Sequence, residues 1–319
     1  MPERRYLGID AGGSTTVCMV GDGTATLGRG AAAGANPTLV GVDGFRAAIV
    51  AATTAALRDL PPAPIAVAWL GVAGSERPGM RDELQAVAAE ALGAEDVEIS
   101  HDARLLLAAA DLDHGIGLVA GTGSSAFGRT EDGREFSLGG WGYFLGDEGS
   151  GYDIAVRALR AMTAAVDGRG PGTQLVELLA ERLDVADPRE LLDRRDLGSS
   201  VAEVASLAKS VLEIADTDRV AASIVDSAAD QLVTLVGTCA GRLFEPRVSV
   251  PVVLAGGLLG TGTSLHRRLL EKLEVDPMTY RPITPTREPA AGGLALARAG
   301  PREPPINHPN LFETPATQR

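Results

Sequence analysis

Three glycine-rich turns in the sequence each follow an apolar segment with the composition of a buried strand. Glycine lets the backbone approach a ligand closely, and neighbouring Ser or Thr residues add hydroxyl donors, so such turns can hold phosphate groups. A single turn has little weight, because strands often turn through glycine for steric reasons alone. Three turns at equivalent places favour a nucleotide site, and the candidate contacts are Gly12, Gly13, Ser14, Thr15, Thr16, Gly121, Thr122, Gly123, Ser124, Gly256 and Gly257.

Two aspartates stand where apolar segments of the first half end. Asp10 directly precedes the first glycine turn, and Asp102 follows the segment "VEIS" after one histidine. Transfer of a phosphoryl group needs a metal ion beside the phosphates and a group that positions or deprotonates the attacking hydroxyl. Asp10 is therefore a candidate Mg²⁺ ligand, with an Asx turn as the structural alternative. Asp102 is explained equally well as a general base or as a helix N-cap.

The composition limits the classes of protein and partner. The 319 residues carry a formal net charge of −13, which argues against a general surface for nucleic acid or anionic membrane. Cys18 and Cys239 lie in apolar or helical segments and are expected to pack rather than to bind a metal. No apolar run reaches the roughly 18 residues of a membrane span, and the N-terminus does not resemble a signal peptide. We expect a cytoplasmic protein.

The order of the predicted elements repeats once along the chain. Three strands, a helix over 43–60, a strand, a helix, a strand and a helix are predicted first, and the same order then recurs with additional helices. A duplicated α/β unit predicts two domains with a cleft between them. The predicted domains are 1–115 and 116–300, with the option that the last helix, at 289–299, packs on the first domain. Residues 301–319 contain five prolines and no apolar period, which predicts an extended or disordered tail.

Several of these segments together resemble one known family. "GIDAGGSTT", "LVAGTGSSAFG" and "VVLAGGLLG" are similar to the two phosphate loops and the adenosine loop of the actin-like ATPase and sugar-kinase superfamily. "GGWGYFLGDEGSGYDIAVRAL", at 139–159, and "PAAGGLALA", at 289–297, resemble the two interdomain connections of its N-acetylglucosamine kinase branch, which is related to the BadF/BadG/BcrA/BcrD ATPases. The resemblance runs in order through nearly all of residues 5–299.

The resemblance implies an α/β fold of two ribonuclease H-like domains that close on ATP in the cleft between them. It implies that Asp102 is the general base and that Asp10 meets Mg²⁺. It also implies an amino-sugar site, for which the matching positions are Asn36, Gly74, Ser75, Asp102, Gly140, Trp141 and Asp147. The family's enzymes are cytoplasmic and commonly dimeric, so we expect a homodimer with small-molecule substrates and no nucleic-acid partner.

The leading prediction is an ATP-dependent kinase that phosphorylates an amino sugar, with the 6-hydroxyl of N-acetylglucosamine or glucosamine preferred. A BadF-type ATPase that activates a partner enzyme is one alternative, but neither cysteine lies in a glycine loop that could hold an iron–sulfur cluster. A non-catalytic sugar-binding regulator is another, and retention of Asp10 and Asp102 argues against it. His101 receives no role. Asp153, where similar kinases often carry Trp, leaves open a cationic sugar or a helix residue that faces away.

Overall fold

Two five-stranded sheets form the framework of the described chain. The computed structural model describes residues 4–75, 78–193, 200–246, 248–276 and 278–300. The predicted tail at 301–319 lies outside these residues.

The first unit comprises β1 (Arg5–Ala11), β2 (Thr15–Gly21), β3 (Thr26–Ala33), α1 (Pro37–Leu57), β4 (Ile65–Val72), α2 (Met80–Leu92), β5 (Asp96–Ser100) and α3 (Asp102–Ala109). Its sheet has the order β3-β2-β1-β4-β5. β1 pairs antiparallel with β2 and parallel with β4, and β4 pairs parallel with β5. Leu7, Ile9 and Ala11 of β1 are fully buried, as expected for a central strand whose two faces are covered.

The second unit comprises β6 (Gly115–Ala120), β7 (Ser124–Arg129), β8 (Glu135–Gly139), α4 (Gly151–Val166), α5 (Leu175–Arg182), a 3₁₀ helix (Pro188–Leu192), α6 (Val201–Ser206), α7 (Ala208–Ile214), α8 (Arg219–Leu243), β9 (Ser249–Ala255), α9 (Ser264–Glu274) and β10 (Thr279–Ile283). Its sheet has the order β10-β9-β6-β7-β8. Read from β8, this is the strand arrangement of the first sheet, with the additional helices between β8 and β9. The predicted duplication of an α/β unit is therefore confirmed.

Two helices lie where the units meet. α3 packs Leu106 and Leu107 with Phe127 and Val253 of the second sheet, while its Leu105 packs with the final helix. That helix, α10 (Pro289–Ala299), contacts both α3 and β1. The chain therefore ends its described course on the first unit, and α3 and α10 together join the two sheets.

α10 approaches its neighbours backbone to backbone. A Cβ on Gly8 of β1 would lie 2.0 Å from the backbone nitrogen of Leu294, and a Cβ on Gly292 would lie 2.0 Å from the carbonyl oxygen of Leu105. Only glycine fits at either position. The run "AAGGLALA" is thus explained by the close packing of this helix at the junction.

α1 and α8 are long and apolar enough to cross a membrane by length and composition alone. Length and apolar composition are weak indicators of a membrane span, because core helices of folded domains share both properties. Here α1 contributes Phe45 and Ile49 to the core of the first unit, and α8 contributes Leu232 and Val236 to that of the second. Each helix therefore packs one face into the core of its unit.

Two local predictions are wrong. The helix predicted from residue 43 begins at Pro37, where the Asn36 side chain caps it, and a left-handed Gly41 with φ of 69° interrupts it. Leu39 and Val40 in this first turn are exposed, so it shows no buried apolar period before Gly41 interrupts the helix. The segment 139–159 lies wholly within the second unit, and the chain instead passes from the first sheet to the second through α3.

Candidate active site

The predicted metal ligand and the predicted base lie at the same edge of the first sheet. Asp10 pairs with Gly71 in the parallel register of β1 and β4, and Gly71 pairs with Ser100, two residues before Asp102. A Cβ on Gly71 would lie 3.0 Å from the Cα of Asp102, so glycine lets α3 start close to this edge. The parallel strands therefore bring Asp10 and Asp102 together.

Asp10 is a carboxylate in an unfavourable position for a negative charge. Burial raises its pKa to about 7, and the negative charges of Asp102 and Glu288 act in the same direction. No hydrogen bond from the described residues lowers that pKa. An oxygen donor of this kind fits a hard divalent cation, which would supply the missing positive charge. Among the described residues no group of three or more His, Cys, Asp or Glu side chains could hold a metal by itself, so further ligands would have to come from substrate or water.

Asp102 is held by the residue that precedes it. The Nδ1 atom of His101 lies 2.8 Å from Oδ1 of Asp102, and the backbone nitrogen of Ala103 lies 2.7 Å from the same oxygen and 3.0 Å from Nδ1. Nδ1 can accept the N–H of Ala103 only if it carries no hydrogen, and its lone pair would then face that of Oδ1 at 2.8 Å. We therefore assign the hydrogen to Nδ1, which donates to the carboxylate together with the N–H of Ala103. Burial raises the pKa of Asp102, but the charge and hydrogen bond of His101 and the N–H of Ala103 bring it below its usual value. Asp102 is therefore ionised at neutral pH.

The first glycine turn joins β1 to β2 with an accessible tip. The N–H of Gly12 donates to the carbonyl of Thr15 at 3.1 Å, while Gly13, Ser14 and Thr15 are exposed. Thr16 differs, because it is fully buried and its hydroxyl donates to the carbonyl of Ala33 at 2.7 Å. The structure thus argues against the expected hydroxyl donor at Thr16 and leaves the tip of the turn as the candidate phosphate contact.

The second glycine turn is fastened to the segment that precedes α4. The N–H of Gly151 donates to the carbonyl of Gly121 at 2.8 Å, and the N–H of Tyr152 donates to that of Thr122 at 3.3 Å. The hydroxyl of Ser124 donates to the carbonyl of Glu148 at 2.8 Å and is already engaged. The backbone of this turn, rather than the Ser124 hydroxyl, is what it can offer to a phosphate.

Asp147 lies directly against the second glycine turn. A Cβ on Gly123 would come within 2.8 Å of Oδ2 of Asp147, and the N–H of Ser124 donates to Oδ1 at 3.4 Å. Asp147 adopts a left-handed backbone with φ of 60°, which Asp tolerates better than most residues. Burial raises its pKa, and the backbone N–H groups of Ser124 and Gly142 oppose that rise. A predicted sugar ligand and a predicted phosphate loop are therefore in direct contact.

The third glycine turn is tied to the end of β6. Gly256 has φ of 100°, and a Cβ there would lie 2.2 Å from the carbonyl oxygen of Ala120, which immediately precedes the second turn. The N–H of Leu258 donates to the same carbonyl at 3.2 Å. Gly257 is exposed with open space around it. The second and third turns are thus adjacent, as expected for two loops that bind one nucleotide.

Asn36, Gly74 and Ser75 meet beside the first turn. The Asn36 side chain accepts a hydrogen bond from the N–H of Thr38 at 2.9 Å, so the structural alternative for this residue, a cap, is realised. A Cβ on Gly74, which has φ of 83°, would lie 2.6 Å from Oδ1 of Asn36. The Ser75 hydroxyl is buried and has no hydrogen-bond partner among the described residues. A buried hydroxyl that lacks a partner suits a site for a polar ligand.

The remaining sugar candidates lie on the loop after β8. The N–H of Gly140 donates to the carbonyl of Ser124 at 2.9 Å, which holds this loop to the second turn. The Trp141 side chain is 74% exposed and therefore accessible to a ligand. Asp153 does not offer a free carboxylate, since it pairs with Arg157 at 2.7 Å and accepts from the N–H of Gly149 at 3.0 Å. It braces the loop and gives no support for a cationic sugar.

Sequence reasoning missed two side chains of this site. His101 received no role, although its Nδ1 lies 2.8 Å from Oδ1 of Asp102. Glu288, directly before α10, was not considered, yet its charge acts on Asp10 and its carboxylate forms a bidentate pair with Arg29. The position of His101 next to Asp102 was a usable signal, whereas Glu288 is distant in sequence and reaches the site only through tertiary packing.

Comparisons with known sequences identify the relatives of this chain. The sequence profile of the BadF/BadG/BcrA/BcrD ATPase family matches residues 7–297. The N-acetylmuramic acid/N-acetylglucosamine kinase of Clostridium acetobutylicum is 30% identical over 210 residues, which cover 63% of this chain and 67% of that protein. The N-acetyl-D-glucosamine kinase of Dictyostelium discoideum is 26% identical over 316 residues, covering 93% and 98%.

Solved structures share the architecture. A candidate N-acetylglucosamine kinase from Chromobacterium violaceum superposes with a TM-score of 0.73 at 24% identity, covering 92% of this chain and 98% of that one. The ROK hexokinase of Thermus thermophilus superposes with a TM-score of 0.53 at 20% identity, covering 92% and 97%. At these identities the likeness concerns the fold. It confirms the predicted class, a pair of ribonuclease H-like units of the actin-like ATPase type.

Proposed function

The chain belongs to the BadF/BadG/BcrA/BcrD ATPase family, and from this premise we propose that it is a kinase that transfers the γ-phosphoryl group of ATP to an amino sugar. Two curated relatives are N-acetylglucosamine kinases. The observation that carries the proposal is the pairing of an ionised Asp102, held by His101, with the high-pKa Asp10 at one sheet edge. The preferred acceptor is the 6-hydroxyl of N-acetylglucosamine or glucosamine.

Both units contribute residues to the nucleotide site and to the sugar site. Backbone groups of the three glycine turns hold the nucleotide, with the tip at Gly13 to Thr15 on the first unit and Gly121 to Gly123 and Gly256 to Gly257 on the second. The sugar lies between Asn36, Gly74 and Ser75 on the first unit and Gly140, Trp141 and Asp147 on the second. The proposed domains are 1–115 and 116–300, with α10 packed on the first.

The chemical step is an in-line displacement. The sugar hydroxyl oxygen attacks the γ-phosphorus, the bond from this phosphorus to the β–γ bridging oxygen breaks, and ADP leaves with the bond's electrons. The proton of the hydroxyl passes to Asp102, whose carboxylate is ionised beforehand. In a loose transition state the orientation of the hydroxyl matters more than the basicity of the carboxylate. A base whose pKa is below its usual value is therefore adequate.

Asp10 is the residue that would hold Mg²⁺, together with phosphate oxygens and water. When bound, the metal would neutralise part of the negative charge on the phosphates. The Asp10 carboxylate then acquires a partner of opposite charge. This partner offsets the cost of burying the negative charge, which is what raises the pKa of Asp10.

The two cysteines do not favour the alternative of an ATPase that activates a redox partner. Cys18 is fully buried in the core of the first unit, and Cys239 is fully buried in that of the second. Burial raises the pKa of both thiols to about 12. Neither is placed to hold an iron–sulfur cluster at a subunit surface.

A cytoplasmic location and a homodimer complete the proposal. Both derive from the family resemblance, and the charge of −13 is compatible with them. Size-exclusion chromatography with light scattering tests the dimer directly, since a monomer mass would reject it.

The test of function is ADP release with N-acetylglucosamine, glucosamine, N-acetylmuramic acid and glucose as acceptors. For wild-type protein we expect turnover that requires an amino sugar. Asp102→Asn should lower kcat by roughly 10²- to 10³-fold, since general-base groups contribute on that scale. Asp59→Asn, at an exposed carboxylate after α1, is the matched control. Sugar-independent hydrolysis that is equal in wild type and Asp102→Asn would reject the kinase.

A further inference from the structure

His101 occupies the junction between the two sheets. It follows β5 of the first sheet, is only 5% exposed, and stacks its ring on Phe127 of β7 in the second sheet. The ring centroids are 5.2 Å apart and the planes are inclined by 26°. Phe127 is itself 1% exposed and packs with α3. The imidazole is thus fixed by the unit opposite to the one that carries it.

The polar edge of the same ring faces Asp102. Nδ1 lies 2.8 Å from Oδ1, a short hydrogen bond with the charge assistance of a carboxylate acceptor. The flat face of the ring contacts Phe127 of β7, and this strand begins at Ser124, the last candidate residue of the second glycine turn. One side chain therefore connects the carboxylate of the first unit to the strand that carries a phosphate loop of the second.

A helix cap alone does not account for this arrangement. Capping of α3 requires an acceptor for the N–H of Ala103, and Oδ1 of Asp102 lies closer to that nitrogen than Nδ1 does, at 2.7 Å against 3.0 Å. Asp102 therefore satisfies the N–H without help. Histidine is also an uncommon capping residue compared with Ser, Thr, Asp or Asn. What His101 adds is a donor to the carboxylate and a flat face against β7.

We propose that His101 is a positioning residue, which sets the orientation of the Asp102 carboxylate relative to the second glycine turn through its stack on Phe127. The inference rests on the kinase function proposed above. The base must face the sugar hydroxyl while the phosphate loop fixes the γ-phosphoryl group, so the alignment of these two groups limits the rate. The contact of His101 with both sides provides that alignment.

Three variants separate positioning from packing. His101→Asn keeps an amide N–H near the position of Nδ1, whereas His101→Leu keeps the volume and removes the donor. Phe127→Leu keeps an apolar contact and removes the stacking face. We expect kcat to fall roughly 10- to 100-fold in His101→Leu, since small misalignments cost that much. His101→Asn should recover most of this loss, and Phe127→Leu should lie between them. The KM for ATP should stay within about twofold in all three, because Asp102 and its partner do not bind the nucleotide.

The controls address folding and the underlying function. His266→Asn changes another buried histidine, in α9, and should leave kcat near wild type. Thermal unfolding is measured for every variant, and Phe127→Leu and His101→Asn retain the test if His101→Leu does not fold. Equal kcat in His101→Asn and His101→Leu, or losses that follow the melting temperature alone, would overturn the positioning role. Absence of sugar-dependent turnover in wild type would instead reject the kinase on which the inference rests.

Discussion

Gly123 shows how a single missing side chain couples the two substrate sites. The position of its absent Cβ lies 2.8 Å from Oδ2 and 3.1 Å from Oδ1 of Asp147, so any larger residue must displace that carboxylate. We assign Gly123 to the nucleotide site and Asp147 to the sugar site. The two sites are therefore in direct contact through these two residues. The glycine has a steric role here in addition to its freedom of backbone conformation.

Gly123→Ala should therefore impair sugar binding even without nucleotide. We expect the affinity for the amino sugar to fall about tenfold, as for the loss of one charged hydrogen bond. Gly121→Ala is the matched change in the same turn, because a Cβ there meets nothing within 4 Å. It should weaken ATP binding and leave sugar affinity unchanged. Isothermal titration with sugar alone measures the sugar affinity of both variants. Equal affinities would contradict a direct contact between the two sites.

Asp10 should make the stability of the ligand-free protein depend on pH. Its pKa is about 7 in the fold and close to 3.9 in an unfolded chain. Between these values the folded state retains a proton that the unfolded state has released, so this group's contribution to stability is present at pH 4 and is lost as the pH rises towards 7. Asp10→Asn removes the titration. The variant should therefore gain melting temperature over wild type between pH 5 and pH 8, measured without Mg²⁺ or nucleotide.

The control for this titration is Asp59→Asn, at an exposed carboxylate of the same unit. Its difference in melting temperature from wild type should stay constant over the pH range. A constant difference for Asp10→Asn as well would show that Asp10 does not titrate in this interval.

At the scale of elements, α10 packs so closely against α3 that the contact requires glycine. Gly292 places its absent Cβ 2.0 Å from the carbonyl oxygen of Leu105 and 2.6 Å from the nitrogen of Ala109, both in the backbone of α3. Backbone atoms cannot move aside as a flexible side chain can. Gly292→Ala should therefore lower the free energy of unfolding by about 3 kcal/mol or more, the upper range for overpacking.

Gly241→Ala is the matched substitution for that prediction. Gly241 lies near the end of α8, is exposed, and meets nothing within 4 Å at its Cβ position. Alanine there should raise stability by up to about 1 kcal/mol, since glycine is the poorer helix former. Denaturant unfolding measures both variants, and equal effects would mean that α10 is not packed as closely as described.

Most elements and their order were predictable from sequence, whereas their contacts were not. Apolar strands ending in glycine turns predicted the first sheet and four strands of the second, because that signal is local and periodic. The edge strand β10 was missed, since it is short and largely exposed and has no buried apolar run. The start of α1 at Pro37 was missed although Asn36 and Pro37 carry cap and first-turn signals. The contact of Asp147 with Gly123 depends on a loop returning to a turn 24 residues earlier. No spacing rule predicts a tertiary contact of that kind.

At the scale of the whole molecule, both sides of the site carry exposed apolar side chains. Leu39 is 65% exposed and lies near the first turn, since its Cδ1 would be 3.8 Å from a Cβ on Gly13. Trp141 and Phe144, on the loop held to the second turn, are 74% and 85% exposed. Apolar side chains at the edges of a substrate site are often covered when the site closes. The two sheets are joined through α3 and α10, so we expect closure to occur by rotation at this junction.

Sugar binding should therefore compact the molecule and exclude water from the γ-phosphoryl group. We expect the radius of gyration, measured by small-angle scattering, to decrease when the sugar that serves as the phosphoryl acceptor is added. A sugar that is not turned over should cause no decrease. Asp102→Asn should still compact, because its loss concerns the proton and not the closure. Phe144→Ser should compact less and raise the KM for sugar, since it removes apolar area that closure would bury. An unchanged radius of gyration in wild type would mean that the apolar edges stay in solvent throughout the reaction. Water would then have free access to the γ-phosphoryl group, and hydrolysis of ATP should accompany sugar phosphorylation at a comparable rate.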